Sequence, residues 1–235
     1  MNNKKRITTP PTTGQMILGW LMAALYLTVL PGAVVSLLKF LELELSALWM
    51  NLICWGAGSV LVILALWDFL FKNLKLLRKQ FWQAFQAVIL GYLLYAFTQG
   101  ILNFLYESIA PEFTNINNSS ISAMVLEEPL AMAVALMVLV PIVEECIYRG
   151  MIFAPLANGK YIVGLLLSAV AFAFSHVASY VGTYDVVTLT LCTIQYLPAG
   201  IALAWTFGKA DTIWASIVLH AIINGISFTA IYFGA

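Results

Sequence analysis

Residues 129–154 read PLAMAVALMVLVPIVEECIYRGMIFA, an apolar run long enough to cross a membrane that nevertheless contains three charged side chains. About 20 consecutive apolar residues cross a bilayer as a helix, and a continuous run lacks the alternation of a barrel strand. A charged side chain at membrane depth is costly unless it is paired or faces a cavity. Glu144, Glu145 and Arg149 therefore indicate a functional site within a transmembrane helix.

The composition of the chain excludes a water-soluble fold. Hydrophobic residues make up 62% and charged residues 9%, with a mean hydropathy of +0.94, whereas soluble domains are about 45–50% apolar and about 25% charged. The net charge is zero and no cluster of basic residues is large enough to bind nucleic acid, so we expect no nucleic-acid partner. The three cysteines lie in separate apolar segments, which predicts no disulfide framework.

The apolar segments predict an all-α fold, a polytopic transmembrane helix bundle of about seven spans and possibly eight. We expect residues 1–15 to form a cytoplasmic N-terminal lead-in, disordered over residues 8–14, and residues 16–235 to form a single transmembrane domain. Residues 107–128, rich in Asn and Ser, are predicted to be the longest outer loop. The predicted spans are residues 16–38, 47–71, 82–106, 129–154, 161–180, 186–206 and 212–234.

The basic residues predict the orientation of the bundle. With the N-terminus in the cytoplasm, every lysine and arginine of the lead-in and the loops except Lys39 is cytoplasmic, as the positive-inside rule prefers. We therefore predict a multi-pass protein of the cell membrane, embedded in the lipid bilayer, with an extracytoplasmic C-terminus. The cytoplasmic basic residues are Lys4, Lys5, Arg6, Lys72, Lys75, Arg78, Lys79, Lys160 and Lys209.

The two adjacent acids should face different directions. Successive residues of an α-helix are about 100° apart, so Arg149 lies within about 40° of Glu145, and an acid four residues before a base is the favourable order for an ion pair. Arg149 should hold Glu145 ionised and leave Glu144 free to serve as a general base. A purely structural ion pair accounts for part of this pattern but leaves Glu144 unexplained.

The two histidines of the chain, His176 and His220, both lie in predicted spans. Phe172 and His176 are four residues apart and share a helix face, as do His220 and Asn224. His220 and Asn224 can donate hydrogen bonds to a developing oxyanion, and Glu144 is a candidate hydrogen-bond acceptor for His176. Polar contacts between helices, worth about 0.6–2 kcal/mol each, are the alternative, but the cost of burying all these residues favours function.

The motifs E-E-x-x-x-R, F-x-x-x-H and H-x-x-x-N occur in this order on separate predicted spans. Together they resemble the CPBP family, also called the Abi or CAAX-protease-like family, which includes the type II CAAX prenyl proteases. The resemblance implies a catalytic core at about residues 125–230. The motifs stand here as Glu144, Glu145 and Arg149, then Phe172 and His176, then His220 and Asn224.

This resemblance implies an intramembrane endopeptidase that hydrolyses a peptide bond of a membrane-associated or lipidated peptide or protein. Glu144 and His176 would activate a water, and His220 and Asn224 would stabilise the oxyanion of the tetrahedral intermediate. Arg149 would orient the glutamate pair. The catalytic residues implied are Glu144, Glu145, His176, His220 and Asn224, with Arg149 and Phe172 in support.

Metal dependence stays open at this point. Glu144, His176 and His220 would suit a catalytic zinc ion with an open position for water. However, the chain contains no H-E-x-x-H, and a histidine nitrogen that binds zinc cannot also donate a hydrogen bond to an oxyanion. We therefore favour catalysis without a cofactor, with zinc as the alternative.

Two functions compete with the protease. A non-catalytic membrane partner, such as a bacteriocin self-immunity or regulatory protein, is also found in the family that the motifs resemble. A proton-coupled transporter could use the same acids and histidines as a relay, but such transporters often contain repeats, and none is visible here. The identity of the substrate, and whether it is prenylated, do not follow from the sequence.

Overall fold

The computed structural model describes residues 7–234, and over that range the chain is an all-α bundle without β-strands. Nine helices of twelve or more residues form the bundle, and a short 3₁₀ turn, Ala178–Tyr180, joins two of them. The nine helices are α1 Thr13–Phe40, α2 Ala47–Ala65, α3 Trp67–Lys79, α4 Phe81–Ile109, α5 Ile116–Glu127, α6 Pro129–Ala157, α7 Tyr161–Ser175, α8 Val186–Ala210 and α9 Ile213–Phe233.

Six helices in the described part of the chain, α1, α2, α4, α6, α8 and α9, are long and apolar enough to cross a membrane. The seventh predicted span, residues 161–180, contains only the 15-residue helix α7, about 22 Å long against a hydrocarbon core of about 30 Å. Helix α7 ends early because the side chains of Ser175 and His176 both bond to the carbonyl oxygen of Phe172, which satisfies a group of the last turn. The count of seven was thus approximate.

Apolar side chains cover much of the outside of the bundle. Leu64 on α2, Phe97 on α4 and Leu130 on α6 are each at least 69% exposed. Exposed apolar surface on this scale marks contact with a partner or a membrane, and lipid tails are as apolar as the leucine side chain. The surface therefore agrees with a multi-pass membrane protein.

One end of the bundle gathers the segments that were predicted to be cytoplasmic. The Asn73 side chain of α3 accepts a hydrogen bond from the backbone of Ile213, at the start of α9. The Ile7 backbone bonds to Asn158, between α6 and α7, and Thr8 bonds to Asp211, between α8 and α9. The basic residues of α3, Lys160 between α6 and α7, and Lys209 in the last turn of α8 therefore lie at one end. Lys4, Lys5 and Arg6 lie outside the described residues.

Two regions predicted to lack regular structure are ordered. Residues 8–14 are not disordered, because Thr12 and Gln15 form a reciprocal capping box that starts α1 at Thr13, and long-range hydrogen bonds fix the residues before it. Residues 107–128 are not one loop, because α4 continues to Ile109 and α5 follows after an Asn115 cap. In the same way, the second span ends at Ala65, and the basic residues beyond it form the separate amphipathic helix α3.

Two transmembrane helices, α1 and α6, contain three π-helical stretches, and each stretch ends two residues before a proline. These stretches are Leu25–Val29 before Pro31, Ala135–Leu139 before Pro141, and Glu145–Phe153 before Pro155. Proline lacks an N–H group, and its ring clashes with the carbonyl four residues earlier. A local shift to the wider helix relieves both problems. The third stretch carries Glu145 and Arg149, so this widening shapes the site.

The close approach of α7 and α8 predicts the effect of one substitution. A Cβ added at Gly200 would lie 2.9 Å from the Cα and carbonyl oxygen of Ala169. These are backbone atoms, so they cannot move away without displacing the helix. We expect Gly200→Ala to lower the free energy of unfolding by about 1–3 kcal/mol, as overpacking does. Gly100→Ala on α4 is the matched control because nothing lies within 4 Å of its Cβ position. Equal unfolding midpoints for both variants in detergent would contradict the prediction.

Candidate active site

A buried network of three charged or ionisable groups joins α6 to α9. The guanidinium of Arg149 donates to the carboxylate of Glu145 at 2.9 Å, and both side chains are fully buried. The same carboxylate oxygen accepts a hydrogen bond from Nδ1 of His220, also at 2.9 Å. Arg149 also donates to the carbonyl oxygen of Gly200 on α8. The predicted Glu145–Arg149 pair is therefore present, and it connects three helices.

Glu144 faces away from this network, as the helix geometry predicted. Its side chain is 22% exposed, and its nearest ionisable partner is Nε2 of His220, 3.8 Å from Oε2. Oε2 makes no hydrogen bond within the structure, and the residue lines a cavity of about 640 Å³. The carboxylate therefore lies at the cavity with hydrogen-bonding capacity that no described residue uses, and it is available to a water or a substrate.

His176 lies just beyond the end of α7 and is held by its surroundings. Its Nδ1 lies 2.8 Å from the carbonyl oxygen of Phe172, and a carbonyl only accepts, so Nδ1 carries the hydrogen. In the neutral ring, Nε2 is then a bare acceptor. The expected hydrogen bond from His176 to Glu144 is absent from the described residues, because the Phe172 carbonyl takes that role.

Phe172 connects the two histidines. Its ring meets the His176 ring at a centroid distance of 4.7 Å and the His220 ring at 5.6 Å, both edge to face. The Arg149 guanidinium lies over the same ring, 4.5 Å from its centroid. Phe172 therefore packs between the charged network and both imidazoles, which fits the supporting role predicted for it.

The cavity brings together four of the five predicted catalytic side chains. Glu144, His176, His220 and Asn224 all line it, whereas Glu145 is buried behind it. Asn224 donates one amide hydrogen to the carbonyl oxygen of Leu136 at 2.9 Å, which leaves its second amide hydrogen for another acceptor. The geometry thus separates the side chains that line the cavity from Glu145, which contacts His220 from behind it.

The described residues contain no preformed set of ligands for the zinc alternative. Within residues 7–234, no group of three or more His, Cys, Asp or Glu side chains is placed to hold a metal ion. Nδ1 of His176 bonds to a backbone carbonyl and Nδ1 of His220 to a carboxylate, so only the Nε2 atoms are free to be ligands. No step proposed below uses a metal.

The sequence did not reveal a group of polar side chains beside His176. The Tyr196 ring on α8 stacks on the His176 ring at a centroid distance of 4.1 Å. The Tyr196 hydroxyl bonds to Asn117 and Asn118, in the first turn of α5. The sequence signal was three asparagines within four residues, at positions 115, 117 and 118, but they were assigned to an outer loop.

Comparison with protein families agrees with the motifs. Residues 126–226 match the family model described as type II CAAX prenyl endopeptidase Rce1-like, and they include every predicted site residue. These residues, a little under half of the chain, are similar to that family. At the level of the family, the match supports a CAAX-type intramembrane protease. Comparisons with curated proteins and with solved structures gave no match.

The buried ion pair makes a testable contribution to stability. Removing one partner of a fully buried pair leaves a charge without compensation, which costs about 3–5 kcal/mol. We therefore expect Arg149→Met to lower the free energy of unfolding by about that amount, and the added Glu145→Gln change to restore part of it. Denaturation by sodium dodecyl sulfate in mixed micelles measures the free energy of unfolding of both variants.

Lys72→Met is the matched control for that prediction. Asp68 and Lys72 form an acid–base pair with the same four-residue spacing, but both side chains are more than half exposed. Exposed pairs contribute about 0–1 kcal/mol, so this variant should unfold close to wild type. If Arg149→Met and Lys72→Met lowered the free energy of unfolding by similar amounts, the buried pair would contribute no more to stability than the exposed pair.

Proposed function

We propose that this protein is an intramembrane endopeptidase that uses a water activated by Glu144 and stabilises the oxyanion with His220 and Asn224. The observation that carries the proposal is the common cavity, which is lined by Glu144, both histidines and Asn224 within the segment that matches the prenyl endopeptidase family. The buried pair behind the cavity supports it.

The first step is activation of water. Glu144 presents a carboxylate oxygen without a hydrogen-bond partner, and His176 presents a bare Nε2. A water between them would transfer one proton to Glu144, and its other hydrogen would form a hydrogen bond to Nε2 of His176. The oxygen that remains attacks the carbonyl carbon of the scissile peptide bond. General-base assistance of this kind contributes about 10²–10⁴-fold to a rate.

The second step is stabilisation of the oxyanion. His220 must donate through Nδ1 because its partner there is a carboxylate, so its Nε2 donates as well when the ring is an imidazolium. The Glu145 carboxylate stabilises that cation, and the second amide hydrogen of Asn224 adds another donor. Fixed donors of this kind require no reorganisation as charge develops.

Collapse of the intermediate completes the reaction. The bond between carbon and nitrogen breaks, and the proton held by Glu144 passes to the leaving amine, so that peptide and water yield an acid and an amine. Glu145 and Arg149 act in this scheme as positioning residues, because Glu145 lies behind the cavity and holds the His220 ring by Nδ1. The π-helical turn that contains them starts directly after Glu144.

We infer a substrate associated with the membrane. The cavity opens among apolar and aromatic side chains, including Tyr26, Trp55, Leu136 and Phe228, which suit an apolar peptide or a lipid-modified segment. We also propose the cell membrane as the location, with the end that carries the α3 basic residues in the cytoplasm. In this orientation the end of α9 is extracytoplasmic.

Glu144→Gln tests the proposed function. The amide matches the carboxylate in shape but cannot take a proton, so we expect cleavage to fall by about 10²–10⁴-fold while folding and membrane insertion are retained. New peptide termini are compared in membranes from cells that contain wild type, Glu144→Gln or no protein. Termini found only with wild type would identify cleavage and its substrate together.

Glu128→Gln is the matched control, since Glu128 is an exposed acid at the start of the same helix and should leave cleavage unchanged. If the three terminal profiles were identical and Glu144→Gln still complemented the loss of the gene, catalysis would be rejected. That result would favour the non-catalytic partner, whose activity needs binding alone.

A further inference from the structure

An asparagine cluster at the start of α5 holds a tyrosine of α8. Asn115 caps α5 by accepting from the backbones of Asn117 and Asn118, and its amide donates to Gln195 at 2.6 Å. Asn117 donates to the Tyr196 hydroxyl at 3.0 Å, and that hydroxyl lies 2.6 Å from the side-chain oxygen of Asn118. The hydroxyl is therefore engaged both as acceptor and as donor, and the ring cannot turn freely.

The Tyr196 ring in turn restrains His176. The two rings lie nearly parallel, at an angle of 23° and a centroid distance of 4.1 Å. The hydrogen bond from Nδ1 to the Phe172 carbonyl restrains rotation of the imidazole about its Cβ–Cγ bond. The aromatic face of Tyr196 packed against the imidazole adds a second restraint against tilting, and the edge-to-face contact with Phe172 limits movement on another side.

We propose that Tyr196, fixed by Asn117 and Asn118, is a positioning residue that sets the direction of His176 Nε2 in the cavity. The proposal rests on the proposed function, because it assigns Nε2 the role of holding the attacking water. The proposal also assigns a role to α5. This helix is not one of the six candidate spans, but its first turn contacts the active site through Tyr196. Misplacement of a catalytic group by about 1 Å can cost about 10²-fold in rate.

Two variants separate the ring from its hydroxyl. Tyr196→Leu removes the stacked face, and we expect it to lower kcat by about 10²-fold with little change in KM, because water activation is impaired rather than substrate binding. Tyr196→Phe keeps the face but loses the tether, so its loss should be smaller. Asn118→Ala removes the other partner of the hydrogen bond between the Tyr196 hydroxyl and Asn118. Adding Asn118→Ala to Tyr196→Phe should therefore cause no further loss of kcat.

The two histidines permit a direct measurement that does not depend on activity. The chain contains only His176 and His220, so protein purified without a histidine tag and labelled at histidine gives two imidazole signals by nuclear magnetic resonance. His176→Gln assigns them by removing one. Tyr196→Leu should move the His176 signal, because the ring current of the stacked tyrosine is lost, and should leave the His220 signal in place.

Tyr106→Leu is the matched control. Tyr106 is a buried tyrosine of α4 whose hydroxyl also bonds to α8, at the carbonyl oxygen of Leu191, but it does not line the cavity. It should leave both histidine signals and kcat unchanged. Should Tyr196→Leu fail to fold, Tyr196→Phe and Asn118→Ala still test the tether through kcat and the His176 signal.

The outcomes separate this proposal from the proposed function. If cells with wild type and cells without the protein give the same peptide termini, the protease is rejected, and if Glu144→Gln cleaves as wild type does, the role of Glu144 is rejected, whatever the histidine signals show. If Glu144→Gln is inactive but Tyr196→Leu shifts the His176 signal and retains the wild-type kcat, the protease stands and the positioning role of Tyr196 is overturned. An unmoved His176 signal in Tyr196→Leu would overturn the stacking itself.

Discussion

The site depends on keeping ionised groups inside an apolar bundle, and the Glu145–Arg149 pair makes this possible. Both side chains are fully buried, and neither charge could remain there alone without a cost of several kcal/mol. Once they compensate each other, the carboxylate can hold His220 and the guanidinium can bond to α8 through Gly200. The pair thus joins α6, α8 and α9 at the level of the cavity, and it leaves the adjacent Glu144 to face open space.

The prolines of α6 account for the π-helical backbone on either side of Glu144. Pro141 and Pro155 each follow a π-helical stretch, and the second stretch begins at Glu145. Such turns are frequent at functional sites because they redirect side chains without ending the helix. Pro198 of α8 has no such effect, since that helix stays regular. A proline in an apolar segment therefore suggests a π-helical turn but does not require one, and only the packing decides.

The sequence predicted well those features that a single helix contains. The Glu145–Arg149 pair and the shared face of Phe172 and His176 follow from a spacing of four residues, and the different direction of Glu144 follows from the rotation of about 100° per residue; the structure contains all three. Features that depend on contacts between distant segments were missed. The order of residues 8–14 comes from bonds to Asn158 and Asp211, and the role of α5 comes from bonds to Tyr196. Neither contact leaves a periodic pattern in the sequence.

The two histidines show the same limit within the site. Spacing places each on a helix face with a second polar or aromatic residue, but their chemistry differs because of what Nδ1 meets. At His176 the acceptor for Nδ1 is a backbone carbonyl four residues earlier, so in the neutral ring Nε2 is a bare acceptor that suits a water. At His220 the acceptor is the Glu145 carboxylate on another helix, and in the proposed mechanism Nε2 donates to the oxyanion. The spacing of Phe172 and His176 agrees with the first contact, whereas the second joins residues 75 positions apart and comes from tertiary packing.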